Sequence, residues 1–200
     1  MTGDLVMKIC VFGSSSEAIE PEFLRSAEHL GASIARRGAG VIFGAGKYGV
    51  MGAVARGVRS EGGGLIGVSP EFFKDFNVLV DYGELVFTET MRERKAYMED
   101  NADAFIICAG GIGTFEEFFE VLTLKQLGRH KKPIVIYNVR GYYDHLLGMM
   151  DASVSEKFMT SDVKRLFSVA ENEAEVFDQL DRYEEYHYNK YDLPEVEYGG

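Results

Sequence analysis

The sequence contains few of the residues that mark a secreted, membrane-spanning or zinc-binding protein. It has two cysteines and four histidines, and neither an HExxH nor a CxxC motif occurs. No apolar run approaches the roughly 18 residues that a membrane-spanning helix needs. The first eight residues also lack the charged-then-apolar pattern of a secretion signal. We therefore expect a cytoplasmic protein with no membrane contact, no bound metal and two core thiols, Cys10 and Cys108, rather than a disulfide scaffold.

Basic residues are also too few for a nucleic-acid-binding surface. The net charge is −11, and residues 171–200 account for −8 of it, so the rest of the chain is close to neutral. No basic face is visible, and we expect no nucleic-acid partner. A small anionic ligand stays compatible with this charge, because its site needs only local donors.

The acidic end divides the chain into a folded domain, residues 1–188, and an acidic, tyrosine-rich tail, residues 189–200. Two interpretations of this tail stay open. It is either an end that packs on the domain or is disordered, or a contact for a partner. Proline occurs only four times, and no linker interrupts the domain.

Short apolar strands alternate with amphipathic helices along this domain. We predict strands over residues 5–12, 39–43, 65–69, 85–88, 104–108 and 133–138. We predict helices over residues 21–37, 49–60, 90–101, 114–127 and 142–150, with two last elements at 163–167 and 174–186. This alternation predicts a single α/β domain with a Rossmann-like, doubly wound, mostly parallel sheet and helices on both faces.

Three junctions that follow predicted strands are rich in glycine or serine. In an open parallel sheet, ligands bind beyond the carboxyl ends of the strands. Glycine lets the backbone approach a phosphate and permits positive φ, and a helix that follows presents free N–H groups. These junctions therefore predict a site for a phosphate-bearing ligand. Its candidate contacts are Gly13, Ser14, Gly44, Gly46, Gly110, Gly111, Ile112, Gly113 and Thr114.

One of these junctions, residues 44–49, matches GxGxxG, but the match is weak evidence for a dinucleotide. A dinucleotide site places this motif after the first strand, whereas here it follows the second. It is not a P-loop either, because Tyr48 follows Gly46-Lys47 where a serine or threonine belongs. An NAD-binding oxidoreductase therefore stays open only as a rival hypothesis.

Charged residues flank the last glycine-rich junction and the helix at 90–101. Glu116 and Glu117 fall in what we predict to be the first turn of the helix after Gly113, where acids complement the helix dipole. This helix start should already receive an anion, so a carboxylate there indicates a separate task, above all for Glu117, which shares a helix face with Thr114. We expect Arg94 to clamp an anionic group or to pair with a carboxylate.

Together these segments resemble the Lonely Guy (LOG) family, often labelled lysine decarboxylase-like. The family motif Pro-Gly-Gly-x-Gly-Thr-x-x-Glu is similar to residues 109–117, where Ala109 replaces proline. The family motif Met-x-x-Arg-Lys is similar to Met91, Arg94 and Lys95. The order of the motifs holds over about residues 8–147. Residues 44–52 and 123–128 resemble two further family blocks, with Ala45 in place of a glycine.

The resemblance implies a nucleoside 5′-monophosphate phosphoribohydrolase, which releases ribose 5-phosphate and a free base, adenine or a base of the cytokinin type. It also implies a homodimer and no cofactor. It assigns catalysis to Arg94 and Glu117. It assigns substrate contacts to Met91, Lys95, Thr123 and residues 111–116, Glu116 included. Residues 71–87 differ from the plant members, so the preferred base stays open, as does a non-catalytic nucleotide or molybdenum-cofactor carrier of the same fold.

Overall fold

The structure is a computed structural model that describes residues 7–186, and the predicted tail at 189–200 lies outside that range. The strands within it are β1 (Lys8–Phe12), β2 (Gly40–Phe43), β3 (Leu65–Pro70), β4 (Glu84–Thr88), β5 (Ala104–Ile107), β6 (Ile134–Tyr137) and β7 (Ser168–Ala170). The helices are α1 (Pro21–Arg36), α2 (Gly49–Ser60), α3 (Met91–Asn101), α4 (Ile112–Gln126), α5 (Asp144–Ser155) and α6 (Glu173–Asp181). Short 3₁₀ helices cover Glu71–Phe76, Val139–Gly141 and Ser161–Arg165.

These strands form one sheet in the order β4-β3-β2-β1-β5-β6-β7, and every neighbouring pair is parallel. The central strands β2, β5 and β6 are buried at every position, which explains their uniformly apolar sequences. The predicted Rossmann-like fold is confirmed. The sheet is parallel throughout, where we predicted a mostly parallel one.

Helices cover both faces of this sheet and enclose two separate cores. Leu30 of α1, Val54 of α2 and Phe177 of α6 belong to the core on one face. Met98 of α3 and Phe118 of α4 belong to the core on the other, where α5 also packs. Burial of each such side chain contributes about 1.5–3 kcal/mol, so both faces stabilise the sheet.

The boundaries of most elements follow the sequence pattern, and α4 is the informative exception. It begins at Ile112, with Gly111 as its N-cap, two residues before the predicted start. Glu116 and Glu117 therefore lie in its second turn, and their predicted place in the first turn was wrong. The prediction failed because β5 ends at Ile107 and the chain turns into the helix within a few residues. The helix α5 also runs later than predicted, from Asp144 to Ser155.

The two cysteines lie in the core, as predicted. Cys10 and Cys108 are both buried and both free. Burial raises the pKa of both thiols, that of Cys108 to about 12. A thiol with a raised pKa holds little thiolate at neutral pH, so neither cysteine is a nucleophile here.

The strand order changes direction between β1 and β5, and this positions the predicted site. The chain winds outward to one side through β2, β3 and β4, and to the other through β6 and β7. Beyond the carboxyl ends of β1 and β5 the connections therefore leave in opposite directions and open a crevice, where ligands bind in such folds. None of the helices within residues 7–186 is long and apolar enough to cross a membrane.

Candidate active site

A cavity of about 610 Å³ opens at this crevice. Its volume lies within the range of small-molecule sites, about 300–1,000 Å³. The predicted contacts that line it are Gly13, Ser14, Gly44, Gly46, Met91, Arg94, Gly111, Gly113, Thr114, Glu116 and Glu117. The structure thus brings all three glycine-rich junctions together with the two residues predicted to be catalytic.

Four other predicted contacts lie outside the cavity walls. The side chain of Lys95 contacts acids on α4, Ile112 is 84% exposed, and Thr123 is exposed on the outer side of α4. Gly110 lies beneath Thr114, because a Cβ on Gly110 would come within 2.1 Å of Thr114 Oγ1. Ligand contacts by these four residues remain predictions.

The sequence reasoning missed part of the cavity wall. Ser15 and Ser16 lie in a junction that was identified, but only its first two residues were chosen. Phe73, Val78 and Leu79 come from the ambiguous stretch at 71–87, which has no regular periodicity. That stretch reaches the cavity through backbone pairing with the 44–49 loop: Lys47 N–H donates to Val78 O at 2.9 Å. The remaining missed residues are Tyr48 and Met51.

A buried ion pair forms the floor of the cavity. Arg94 Nη1 donates to Glu117 Oε1 at 3.0 Å, and Arg94 Nε donates to the carbonyl oxygen of Val68 at 3.1 Å. Arg94 is 8% exposed and Glu117 is 9% exposed, so both charges are largely removed from water. The second bond, to β3, fixes the guanidinium while one face of Glu117 stays open to the cavity.

The glycine at position 44 makes room for this guanidinium. A Cβ on Gly44 would come within 2.0 Å of Arg94 Nη2, which no real side chain tolerates. The loop after β2 therefore passes directly beside Arg94. Gly44 has a steric role rather than a conformational one, since its φ is not positive.

Burial raises the pKa of Glu117, while the charge and hydrogen bond of Arg94 lower it in part. Glu116 adds to the rise and Lys95 opposes it. A carboxylate with a raised pKa is a better proton acceptor than a solvated one. The geometry therefore provides a buried, oriented carboxylate that faces an open cavity.

The N-terminus of α4 opens into the same cavity. Its N-cap Gly111 makes no side-chain hydrogen bond, and its first turn holds no acid. A helix start of this kind has backbone N–H groups without partners in the helix and the positive end of the dipole, so it is suited to an anion. A Cβ on Gly111 or Gly113 would meet nothing within 4 Å, so both residues face open space.

The conformational reason that we gave for these glycines was wrong. None of Gly110, Gly111 and Gly113 has a positive φ. In the 44–52 segment, positive φ falls on Gly49 (60°) and on the alanine at position 45 (61°). Gly110 is needed because Thr114 lies against it, and Gly111 and Gly113 leave space for a ligand.

The N-terminus of α2, by contrast, is partly used within the protein. Met51 N–H donates to the carbonyl oxygen of Ser14 at 3.2 Å. Gly49 packs against the backbone of Ser14 and Ser16, where a Cβ would come within 2.6 Å of two carbonyl oxygens. The start of α4 is therefore the better anion site of the two.

Two tyrosines hold the loop that precedes α4. Tyr143 Oη donates to the carbonyl oxygen of Cys108 at 2.8 Å, and Tyr142 Oη donates to that of Gly110 at 2.6 Å. Ser14 N–H donates to the carbonyl oxygen of Ala109 at 3.0 Å. These bonds fix the loop before a ligand arrives, which reduces the entropy lost on binding.

No group of three or more histidine, cysteine, aspartate or glutamate side chains within residues 7–186 is arranged to hold a metal ion. The polar groups of the cavity instead suit an organic anion. They are serine hydroxyls, backbone N–H groups and the Arg94–Glu117 pair.

Comparisons with known proteins show what the chain is similar to. A family model described as "Possible lysine decarboxylase" matches residues 51–180. The chain is 38% identical over 178 residues to the cytokinin riboside 5′-monophosphate phosphoribohydrolase LOG7 of Arabidopsis thaliana, covering 88% of this chain and 82% of that protein. It is 37% identical over 193 residues to the phosphoribohydrolase LOG of Oryza sativa subsp. japonica, covering 96% and 76%.

Solved structures show the same fold at lower sequence identity. A molybdenum cofactor binding protein from Rippkaea orientalis superposes with a TM-score of 0.66 at 20% identity, covering 88% of this chain and 95% of that one. A Moco carrier protein from Chlamydomonas reinhardtii gives 0.67 at 22% identity, covering 88% and 96%. These structures support the fold, whereas the sequence matches reach further: the chain belongs to the LOG family.

Proposed function

We propose that this protein hydrolyses the N-glycosidic bond of nucleoside 5′-monophosphates and releases the free base and ribose 5-phosphate. The observation that carries this proposal is the buried Arg94–Glu117 pair in one cavity with the open N-terminus of α4. Relatives at 34–38% identity bear the name of this activity and support it.

The N-terminus of α4 would hold the 5′-phosphate. Glu117 lies one helical turn beyond Gly113, a rise of about 6 Å along the axis, which is the scale of a ribose. A phosphate bound at the helix start would place the sugar over the carboxylate. Binding energy from the phosphate, which does not react, would then orient the reacting carbon.

Hydrolysis would proceed through an oxocarbenium-like ribose. The bond between C1′ and the base nitrogen breaks, its electron pair leaves with the base, and water attacks C1′. Glu117 stabilises the positive charge on the sugar and accepts a proton from the attacking water, and the departing base takes up a proton from solvent. Arg94 keeps the carboxylate in place and contacts the ribose hydroxyls.

The base would lie against the apolar wall of the cavity. Tyr48, Phe73, Val78 and Leu79 contribute the apolar part of the lining, and the serines and the α4 terminus contribute polar groups. Aromatic side chains stack on any nucleobase, so this wall suits a planar base that carries an apolar substituent as well as plain adenine. The proposal therefore covers adenine and cytokinin-type monophosphates.

A homodimer is part of the same proposal. Two large apolar side chains of α4 and one at its C-cap are exposed: Ile112 is 84% exposed, Phe119 is 38% exposed and the C-cap Leu127 is 46% exposed. Large apolar side chains exposed along one helix are typical of a protein interface. Light scattering on the full chain measures the mass directly.

The decisive experiment incubates the purified protein with AMP, other nucleoside monophosphates and a cytokinin riboside 5′-monophosphate, and follows free base by chromatography. Glu117→Gln is the control, because it keeps the shape and removes the charge. We expect base release from the wild type and at least a 1,000-fold lower rate from the variant.

Three results would overturn the proposal. A fully active Glu117→Gln variant would remove the catalytic role of the carboxylate. Tight AMP binding without release of any base would instead favour a carrier, which is the alternative that the fold also accommodates. Binding of NAD without affinity for AMP would favour an oxidoreductase.

A further inference from the structure

Two neighbouring ion pairs connect α3 to α4, and only one of them faces the cavity. Arg94 meets Glu117 on the inner side. Lys95, the next residue on α3, contacts Glu116 and Glu120 on the outer side of the same two helices. We propose that Lys95 is a positioning residue: its pairs with Glu116 and Glu120 hold α3 against α4 in the register at which Arg94 meets Glu117. This inference rests on the proposed function.

The burial of Lys95 shows that its contacts are built into the fold. Its side chain is 12% exposed, whereas those of Glu116 and Glu120 are 54% and 35% exposed. The buried oxygen Oε2 of Glu120 lies 2.5 Å from Lys95 Nζ. A lysine that is mostly buried between two acids cannot reach the cavity without breaking both pairs.

The charge on Lys95 is secure at neutral pH. Burial alone would lower the pKa of its amine, but the hydrogen bonds and charges of Glu116 and Glu120 raise it overall. The amine therefore stays protonated, and both pairs persist over the pH range in which enzymes are assayed.

Register is the physical link between the two ion pairs. Consecutive residues of α3, Arg94 and Lys95, contact consecutive residues of α4, Glu117 and Glu116. A slide or rotation of one helix that breaks one pair therefore strains the other. If Lys95 lost its contacts with Glu116 and Glu120, Arg94 would be held only by its own partners, Glu117 and the carbonyl oxygen of Val68.

Lys95 also acts on Glu117 through its charge. The titratable groups that interact electrostatically with Glu117 are Arg94 and Lys95 of α3, Glu116 of its own helix, the Cys10 thiol of β1 and the Tyr143 hydroxyl that precedes α5. Among these, Arg94 and Lys95 lower the pKa of Glu117, and Glu116 raises it. Removal of Lys95 would therefore raise the pKa of Glu117 even with Arg94 in place.

The test compares Lys95→Met, Lys95→Arg and a control, Lys164→Met, in the full chain with AMP as substrate. Lys164 pairs with Asp151 on the exposed surface, so its loss removes a lysine and an ion pair away from the cavity. We expect Lys95→Met to lower kcat about 10-fold with KM within about 2-fold, since misalignment acts on the transition state. We expect the acid limb of its kcat/KM profile to move to higher pH.

The conservative variant separates positioning from simple packing. Lys95→Arg keeps a cation that can pair with two carboxylates, so we expect it to recover kcat to within about 2-fold and to restore the acid limb. Lys164→Met should match the wild type in both measurements. Lys95→Gln replaces Lys95→Met if the latter does not fold.

A titration that needs no turnover keeps this inference distinct from the proposed function. Carboxyl ¹³C NMR, with the Glu117 signal assigned by its absence in Glu117→Gln, should show a higher Glu117 pKa in Lys95→Met than in the wild type. If the wild type releases no base, the proposed function fails, and this shift still tests the action of Lys95 on Glu117 without turnover. An unmoved Glu117 pKa overturns it, as does a Lys95→Met variant whose only defect is a raised KM, because that result places Lys95 on the nucleotide.

Discussion

The helices α4 and α6 both begin at the carboxyl edge of the sheet, yet their first turns are built differently. In α6, the N-cap Asn172 accepts a hydrogen bond from Glu175 N–H at 3.0 Å, and Glu173 and Glu175 lie in the first turn. In α4, the N-cap is Gly111, with no side-chain hydrogen bond and no acid in the first turn. The helix α6 satisfies its own N-terminus, whereas α4 leaves its N–H groups available.

The difference follows from what each helix start faces. An N-cap is worth about 1 kcal/mol, and an acid in the first turn is worth about 0.3–1 kcal/mol. The α4 terminus lacks both contributions at a position where a ligand phosphate would supply them. Stability lost at a site and regained on ligand binding is common where a fold carries function. Substitutions that make one terminus like the other test this interpretation.

The largest effect should come from making α4 resemble α6. Gly113→Asp puts a carboxylate in the first turn of α4, and a Cβ there meets nothing within 4 Å. The carboxylate would occupy and repel the phosphate position, so we expect AMP affinity to fall about 1,000-fold. Isothermal titration calorimetry measures it.

The matched control for this substitution is Gly113→Asn, which has nearly the same shape without the charge. We expect its loss of affinity to be at least ten times smaller, since only its bulk opposes the phosphate. In the absence of AMP, Gly113→Asp should be as stable as the wild type or up to about 1 kcal/mol more stable. A Gly113→Asp variant that binds AMP with normal affinity would show that the phosphate lies elsewhere.

A second difference between the helices is the burial of their acids. Glu173 and Glu175 in the first turn of α6 are not buried, whereas Glu117 of α4 is buried against Arg94. Gly44→Ala should disturb this pair, because the new Cβ would come within 2.0 Å of Arg94 Nη2. We expect kcat/KM for AMP to fall about 100-fold.

Gly46→Ala is the matched control for Gly44→Ala. It lies in the same loop and also lines the cavity, but its Cβ would meet only the terminal methyl of Met51, at 2.8 Å. A flexible side chain can move away, so we expect a loss below about 10-fold. Equal losses in the two variants would show that the loop, rather than Arg94, is the sensitive element.

The sequence was sufficient to predict six of the seven strands, the winding of the sheet and most of the polar side of the cavity, but it did not predict β7. Apolar strands alternating with helices leave few alternative arrangements, and glycines after strands identify the ligand edge. The apolar wall was missed because Phe73 and Leu79 lie in a segment without periodicity, which is placed by backbone pairing to the 44–49 loop. A substrate contact by Lys95 stays a prediction: the motif gives spacing, not the direction in which a side chain points, and the structure pairs Lys95 with Glu116.

The opposite substitution should make α6 resemble α4 and leave catalysis unchanged. Asn172→Ala removes the N-cap of α6, which lies outside the cavity. We expect a loss of about 1 kcal/mol in the free energy of unfolding, measured with urea. The values of kcat and KM should match the wild type, and a change in KM would show that the two helix termini are coupled.

The smallest effect concerns Glu99 of α3, a half-buried acid that lies near Glu120 of α4. Burial and the nearby charge of Glu120 raise the pKa of Glu99 from 4.5 to about 7. Since the folded state holds this proton more tightly than the unfolded chain, the stability that it contributes is present at low pH and is lost as pH rises through about 7. Glu99→Gln removes this loss. Because Glu99 is only half-buried, solvent screening reduces the gain in stability, and we expect about 0.5–1 kcal/mol at pH 8, fading towards pH 5.

Urea unfolding at both pH values measures this gain, with Glu173→Gln in the first turn of α6 as the matched acid. That variant should gain nothing at pH 8, since its charge there favours the helix. An equal gain in both variants would trace the effect to net charge rather than to the surroundings of α4.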